Sequence, residues 1–261
     1  MLTRNVMLDL FAIARANADA VQAAFESVVA SMRPEQAALV QEFAAWIEAE
    51  TSIAINVKLF VIVEFLNGGR YQNTYEWARE QSRLSGRSAE DALRERLHKF
   101  YEKRVTFDRA FKDGEKFRYG ALNGGRAWLP EYAPYCVVLS RNSMTSLSDI
   151  AYLPGDSLKI CFKADGAFNT TVIESRTAPH THRHLMAANE RATDIPLANK
   201  PDWPELVASS DRYFEVVFIV VATSICHVNG KAKMSGRFVG SSLQGRNRTV
   251  AEPLLLSWRS V

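Results

Sequence analysis

Apolar residues recur at helical spacing through the first fifty positions. One stripe runs from about Val6 to Ala30, and a second begins at Pro34 and continues to about Glu50. A spacing of three and four places such residues on one side of a helix, and proline suits the first helical turn. The pattern therefore predicts two helices. The next run, Ile53 to Leu66, is apolar on nearly all sides, which fits a buried helix or a buried strand, and its length favours the helix.

The pattern changes at Asn67-Gly-Gly69, which ends this apolar run. The following segment, Arg70 to Trp77, is rich in tyrosine and asparagine, and we interpret it as a short strand or strand-like edge. Further on, Ser88 with Asp91 three positions later resembles a helix capping box. Apolar positions at helical spacing follow and predict a helix over about 89–103.

Strand-like runs dominate the second half of the chain. From Lys116 to Phe162, short runs of β-forming residues alternate with glycine, asparagine, proline and aspartate, which is typical of strands joined by tight turns. Tyr213 to Val221 is the strongest strand signal. Further strands are predicted at Thr170 to Glu174, Gly236 to Val239 and Pro253 to Trp258.

Helices followed by strands favour an α+β protein over alternating βαβ units. We predict a helical region over residues 1–66 and a mixed-sheet domain over residues 67–261. The long polar connection from Thr177 to Pro204 interrupts the strands, and it contains a predicted short helix near His184 to Arg191.

The composition is that of an ordinary globular protein, with 47% apolar and 23% charged residues. The net charge of +3 is spread along the chain, so a nucleic-acid partner is not implied. Cys136, Cys161 and Cys226 each lie in an apolar run without metal-site spacing, and we interpret them as reduced core residues.

The N-terminus lacks the pattern of a cleavable secretory signal, and no apolar run has the roughly 20 residues of a membrane helix. We expect a cytoplasmic protein, or one secreted into a host or target cell without a cleavable signal, and no membrane partner.

Three features of the sequence are candidates for chemistry. Glu215 begins the most apolar strand, where an acid is costly to bury unless it has a function, although a strand-edge gatekeeper or an ion pair would also explain it. Arg70 offers a planar guanidinium that matches phosphate geometry. A hydroxyl cluster can orient a ligand or simply cap turns. It consists of Ser143, Thr145, Ser146 and Ser148.

A fourth candidate is the alternating histidine segment His180, His182 and His184. Alternate residues of an extended segment share one face, so they can hold a metal ion. No carboxylate or cysteine lies at a typical companion spacing, which favours an exposed polar loop. The sequence contains no glycine-rich dinucleotide fingerprint, phosphate loop, nucleophile elbow or paired zinc-cysteine motif.

Three segments occur in an order that resembles divergent bacterial mono-ADP-ribosyltransferases of the toxin or effector type. They are Gly69-Arg-Tyr-Gln-Asn-Thr-Tyr-Glu76, Phe117-Arg-Tyr-Gly-Ala-Leu-Asn123 and Leu153-Pro-Gly-Asp-Ser157. The resemblance covers about residues 65–160, and beyond it the order of arginine, hydroxyl cluster and glutamate is similar to the Arg-Ser-Glu arrangement of that family.

The resemblance implies an ADP-ribosyltransferase-like catalytic domain that uses NAD as substrate and modifies a macromolecular acceptor, more readily a protein than a nucleic acid. It implies that Glu215 is catalytic and that NAD is bound by Arg70 or Arg118 together with Tyr119 and the hydroxyl segment at Ser143, Thr145 and Ser146. It implies no metal. Tyr213 stands where arginine-modifying members carry a second acid, which argues against an arginine acceptor. A non-catalytic interaction module and a metal-dependent hydrolase built on the three histidines stay open as alternatives.

Overall fold

A computed structural model gives the fold, and it describes residues 7–58, 61, 72–125, 133, 135–139, 149–209, 212–219 and 233–234. Within these residues, helices and an antiparallel sheet form the structure, which confirms the predicted α+β class. The helices are α1 (Leu10–Ala16), α2 (Ala18–Ser31), α3 (Pro34–Glu50), α4 (Thr74–Ser85), α5 (Ala89–Leu97), α6 (Tyr101–Ala110), α7 (Ser157–Ile160), α8 (Thr171–Arg176), α9 (Arg183–Glu190) and α10 (Trp203–Val207). The strands are β1 (Ser52–Val57), β2 (Arg118–Asn123), β3 (Tyr135–Leu139), β4 (Asp149–Leu153), β5 (Ala178–Pro179), β6 (Glu215–Ile219) and β7 (Lys233–Met234).

The strands form one sheet in the order β5-β4-β6-β2-β1-β3-β7. Every ladder between these strands is antiparallel, so the predicted mixed sheet is wrong for the described part of the chain. Helices lie between the strands of both consecutive pairs that are neighbours in the sheet, β1–β2 and β4–β5.

Each face of the sheet packs against helices. On one face, Ile53, Tyr152 and Val216 belong to a core that also contains buried residues of α2, α3 and α9. On the opposite face, Leu153 and Val217 pack with residues of α1 and α6 in a second core. The sheet is therefore a central layer, and the burial of both faces explains why its inner strands are apolar without strict alternation.

The apolar run after Thr51 begins with strand β1, so the predicted helix is wrong over residues 53–57, while Val61 further along the run is helical. β1 pairs with β2 through Ile53 and Leu122 and with β3 through Ile53 and Leu139. An inner strand that is buried on both faces lacks the alternation of apolar and polar residues that distinguishes strands in sequence. The length of the apolar run therefore wrongly favoured a helix. The boundary predicted at residues 66 and 67 lies outside the described residues, and one core contains side chains from both predicted regions.

The strand predicted over Arg70 to Trp77 is also wrong, because α4 begins at Thr74. The Asn73 side chain accepts a hydrogen bond from the backbone N–H of Glu76, and the Glu76 carboxylate accepts one from the backbone N–H of Asn73. This reciprocal capping box needs only the spacing of the two side chains. The segment therefore carried a helix-start signal that its tyrosines and asparagines obscured.

The other helices predicted before residue 104 are present, although two of them are divided. The helix predicted from Pro34 is confirmed as α3, and the stripe before it is helical from Leu10 but divides at Asn17 into α1 and α2. The helix predicted over 89–103 is divided by a 3₁₀ turn into α5 and α6, and Ser88 caps α5 as predicted.

In the second half, the strand predicted at Thr170 to Glu174 is wrong because α8 occupies it. The core of the strongest predicted strand is confirmed as β6, and the short helix predicted in the long connection is confirmed as α9. The closing strands predicted at 236–239 and 253–258 lie outside the described residues.

Cys136 and Cys161 are buried and unpaired, as predicted, while Cys226 lies outside the described residues. None of the described helices has the length and apolar character needed to cross a membrane.

Candidate functional site

A cavity of about 180 Å³ opens over the middle of the sheet, and we call it the first cavity. Its floor is built from residues that share one face, because Ala54 pairs with Ala121 and Ala121 pairs with Glu215 across three neighbouring strands. Two alanine methyl groups leave open space where larger side chains would fill it. The lining also includes Asn56, Asn73, Thr74, Arg104, Phe117, Arg118, Tyr119, Gly120 and Tyr213.

Glu215 is held at the first cavity by two partners. Its Oε1 lies 3.2 Å from Nη2 of Arg104, and its Oε2 accepts a hydrogen bond of 2.9 Å from the backbone N–H of Ser157. Only 3% of the residue is exposed. Burial raises the pKa of Glu215, and the charge of Arg104 and the hydrogen bonds from Ser157 act in the opposite direction. The result is an oriented carboxylate in a water-poor setting.

Arg104 links the sheet to α6. Besides Glu215, its guanidinium donates to the Ser157 hydroxyl over 3.3 Å and lies 3.6 Å from the centre of the Tyr119 ring. A planar guanidinium stacks on an aromatic face and forms ion pairs at its edge. No motif in the sequence marks this residue. Its signal was the presence of Arg104 and Asp108, four positions apart, on a helix face that also buries Tyr101 and Val105.

Asp108 is a second buried carboxylate close to this ion pair, with 2% of the residue exposed. The Tyr119 hydroxyl donates a short hydrogen bond to its Oδ1. Burial raises the pKa of Asp108 to about 6, although the charge of Arg104 opposes the shift. An acid with such a pKa exchanges protons close to neutral pH, which ordinary aspartates do not.

Arg118 also lines the first cavity and is 5% exposed. Its Nη2 lies 2.7 Å from the Glu76 carboxylate, and its Nη1 donates to the backbone carbonyl of Lys116 over 3.3 Å. Glu76 belongs to the capping box of α4, so the start of this helix fixes the guanidinium at the cavity wall. This ion pair joins the segment from Phe117 to Asn123 to Glu76, which ends the segment that starts at Gly69.

A second cavity of about 260 Å³ adjoins the first, and the two share Asn56, Thr74, Arg104, Phe117 and Tyr119. Asp108 lines the second cavity, whereas Glu215 lines the first. The remaining lining of the second cavity adds two cationic and two aromatic residues to several aliphatic ones. It includes Lys58, Tyr75, Arg96 and Phe100.

The structure brings together three of the residues predicted from sequence, since Arg118, Tyr119 and Glu215 all line the first cavity. The other predicted site residues lie outside the described residues: Arg70, Ser143, Thr145, Ser146 and Ser148. The residues that the sequence analysis did not single out are Arg104, Asp108 and the backbone N–H of Ser157, and all three act through contacts between distant elements.

The three histidines do not converge. His180 and His182 lie in a 3₁₀ turn and His184 lies in α9, so the extended segment that would align them is not formed. His180 Nδ1 lies 2.8 Å from the Tyr152 hydroxyl, and burial lowers the pKa of His180 to about 4. No cluster of three or more metal-ligating side chains occurs within the described part of the chain.

The histidine arrangement leads to a prediction for the triple change of His180, His182 and His184 to Ala. The change removes the partner of the buried Tyr152 hydroxyl, so the free energy of unfolding should fall by about 1–3 kcal/mol. Activity per folded molecule should survive both this change and treatment with a chelator. Urea denaturation and turnover measured on the same samples check the two statements. Loss of activity that added zinc or manganese restores would favour the hydrolase alternative instead.

Comparison with known protein families finds no family model that matches this chain, and comparison with curated proteins finds no match.

Proposed function

We propose that this chain is a mono-ADP-ribosyltransferase that moves ADP-ribose from NAD to a macromolecule, more readily a protein than a nucleic acid. One observation carries the proposal: the buried carboxylate of Glu215 lines the same cavity as the guanidinium groups of Arg104 and Arg118. NAD joins two phosphates to a ribose whose bond to nicotinamide breaks in the reaction. A site for it needs cations for the phosphates and an anion beside the reacting ribose.

The chemistry assigns a role to each group. Departure of nicotinamide leaves positive charge on the ribose, and a fixed carboxylate stabilises that charge as it develops. Arg104 and the Ser157 N–H hold the carboxylate of Glu215 in one orientation, so little reorganisation is needed in the transition state. Arg118, fixed by Glu76, is suited to hold a phosphate at the cavity wall.

The proposed function is tested by incubating the purified protein with NAD, following nicotinamide release by chromatography, and labelling a cell lysate with tagged NAD. Nicotinamide release together with transfer of the label to macromolecules is the expected result. Absence of NAD binding and of labelling in every lysate would overturn the proposal and leave the non-catalytic interaction module as the better explanation.

The phosphate-binding role of Arg70 gives a separate prediction. Arg70→Lys keeps the positive charge but loses the planar fork, so NAD affinity should weaken by about 1–3 kcal/mol, the range for charge-assisted hydrogen bonds. Calorimetry with NAD measures the change, and Arg118→Lys is the parallel variant. If only Arg118→Lys weakens binding, the phosphate contact belongs to Arg118. Unchanged affinity in both variants would contradict an arginine-anchored NAD site.

A further inference from the structure

Each of the two cavities is lined by one buried carboxylate. Glu215 lines the first cavity and Asp108 lines the second, and Arg104 with Tyr119 forms part of the wall common to both. A transfer reaction needs places for two substrates that meet at one reacting atom. Two adjoining cavities with a shared wall provide that arrangement.

The groups around Asp108 come from four elements. Tyr75 faces it from α4, Arg104 from its own helix α6, Tyr119 from β2 and Glu215 from β6. Tyr119 donates a hydrogen bond to one carboxylate oxygen, and the charge of Arg104 lies close by. These contacts fix the carboxylate without making it the direct ion-pair partner of Arg104, which is Glu215.

The hydroxyl of Tyr75 is a second observation at the same cavity. It is buried beside the Asp108 carboxylate, and burial together with the interaction with Asp108 raises the pKa of Tyr75. Tyr75 and Tyr119 therefore place two phenol hydroxyls around the carboxylate that lines the second cavity.

We propose that the second cavity receives the acceptor, that the acceptor is a hydroxyl group of a protein side chain, and that Asp108 takes the proton from this hydroxyl. The proposal rests on the function proposed above. In the step, the bond between ribose C1 and the nicotinamide nitrogen breaks, and its electron pair leaves with neutral nicotinamide. The acceptor oxygen forms a new bond to C1, and its proton passes to the Asp108 carboxylate.

The lining of the second cavity selects among acceptors. Lys58, Arg96 and Arg104 disfavour an arginine guanidinium, since like charges repel at close range. A carboxylate acceptor has no proton to lose at neutral pH and needs no base. A hydroxyl acceptor does need one, because its own pKa is far too high for it to ionise unaided. The same cations favour an acceptor segment that carries acidic residues.

The protonation behaviour of Asp108 agrees with this role. Its pKa is raised to about 6 from an ordinary value of 3.8, so the carboxylate is ionised at neutral pH and is a stronger base than an exposed aspartate. Because the folded-state pKa is raised, the contribution of Asp108 to stability is full below pH 3.8 and is lost as the pH rises through about 6. Asparagine resembles the protonated acid and still accepts from Tyr119, so Asp108→Asn should fold at neutral pH.

The test compares wild type, Asp108→Asn and the control Asp194→Asn, whose carboxylate pairs with Arg212 and lines neither cavity. Transfer from tagged NAD to a lysate should rise with pH through about 6 in wild type and in the control. In Asp108→Asn it should fall about 100-fold or more and lose this pH dependence, while NAD affinity stays unchanged. The label should resist neutral hydroxylamine, which cleaves ester linkages. Protease, but not nuclease, should reduce the size of the labelled molecules.

The outcomes separate this inference from the proposed function. If wild type consumes NAD and Asp108→Asn matches it in rate and pH profile, the proton-accepting role is wrong while the transferase stands. Label that hydroxylamine or nuclease removes would overturn the hydroxyl acceptor on protein. If wild type neither binds nor consumes NAD, the proposed function fails and this inference fails with it.

Discussion

Glu215→Gln is expected to reduce transfer of ADP-ribose by about two to three orders of magnitude while NAD still binds. Glutamine keeps the size of the side chain and can still accept from the Ser157 N–H, but it removes the negative charge that would stabilise the ribosyl cation. A loss confined to turnover is the sign of an interaction made mainly in the transition state. NAD turnover, tagged-NAD labelling and calorimetry measure the two parts separately.

A matched control for this change is Glu190→Gln. Glu190 is also largely buried, with 14% of its side chain exposed, and is paired with Arg176, but it lines neither cavity. The Glu190→Gln variant should therefore keep full activity per folded molecule, even if its stability is lower. Equal labelling by wild type and Glu215→Gln at equal stability would contradict the catalytic role and favour a purely structural ion pair, since a strand-edge gatekeeper does not fit a buried residue of the inner strand β6.

Arg104→Met should have the largest effect on stability, lowering the free energy of unfolding by about 3–5 kcal/mol. Methionine approximates the length of the arginine stem but leaves Glu215, with 4% of its side chain exposed, without its cationic partner. A buried carboxylate without a counterion is far more costly than the intact pair is favourable. Urea denaturation at neutral pH measures the change.

Two further variants separate the lost ion pair from lost packing. Arg83→Met breaks an exposed pair with Glu80, in which 70% of the arginine side chain is accessible, and should leave the free energy of unfolding nearly unchanged. Adding Glu215→Gln to Arg104→Met removes the stranded charge and should restore a large part of the stability. A double variant that is no more stable than Arg104→Met would show that packing around Arg104, and not its charge, accounts for the loss.

Much of the local structure was predictable because it depends on residues close in sequence. α3 begins at Pro34, and Ser88 caps α5, since both signals act within one helical turn. The core of the strongest predicted strand is β6, where β-forming residues follow one another without interruption. One failure came from a local signal that was present, since the capping box of Asn73 starts a helix, whereas α8 replaces a predicted strand without a side-chain cap at its N-terminus.

Only about half of the candidate site could be predicted, because prediction depends on signals from residues close in sequence. Glu215 was noticeable because an acid at the start of the most apolar strand is unusual in itself, and Arg118 and Tyr119 lay in a recognisable segment. Arg104 and Asp108 carried no comparable signal. Both lie in a largely polar helix, and their importance comes from Glu215 and Tyr119, which only the packing of α6 on the sheet brings near them.

The sequence by itself determined the α+β class, the starts of α3, α5 and α9, the strand at residue 215 and the acid that opens it, because periodicity, capping and β-propensity act over a few neighbouring residues. Tertiary structure decided that the run after Thr51 pairs as an inner strand, because its partners Leu122 and Leu139 lie about seventy residues or more away. It also decided that Glu215 meets Arg104, 111 residues earlier in the chain. Burial of that pair between a helix and a sheet gives the carboxylate its fixed position and its raised pKa, and no local pattern specifies either.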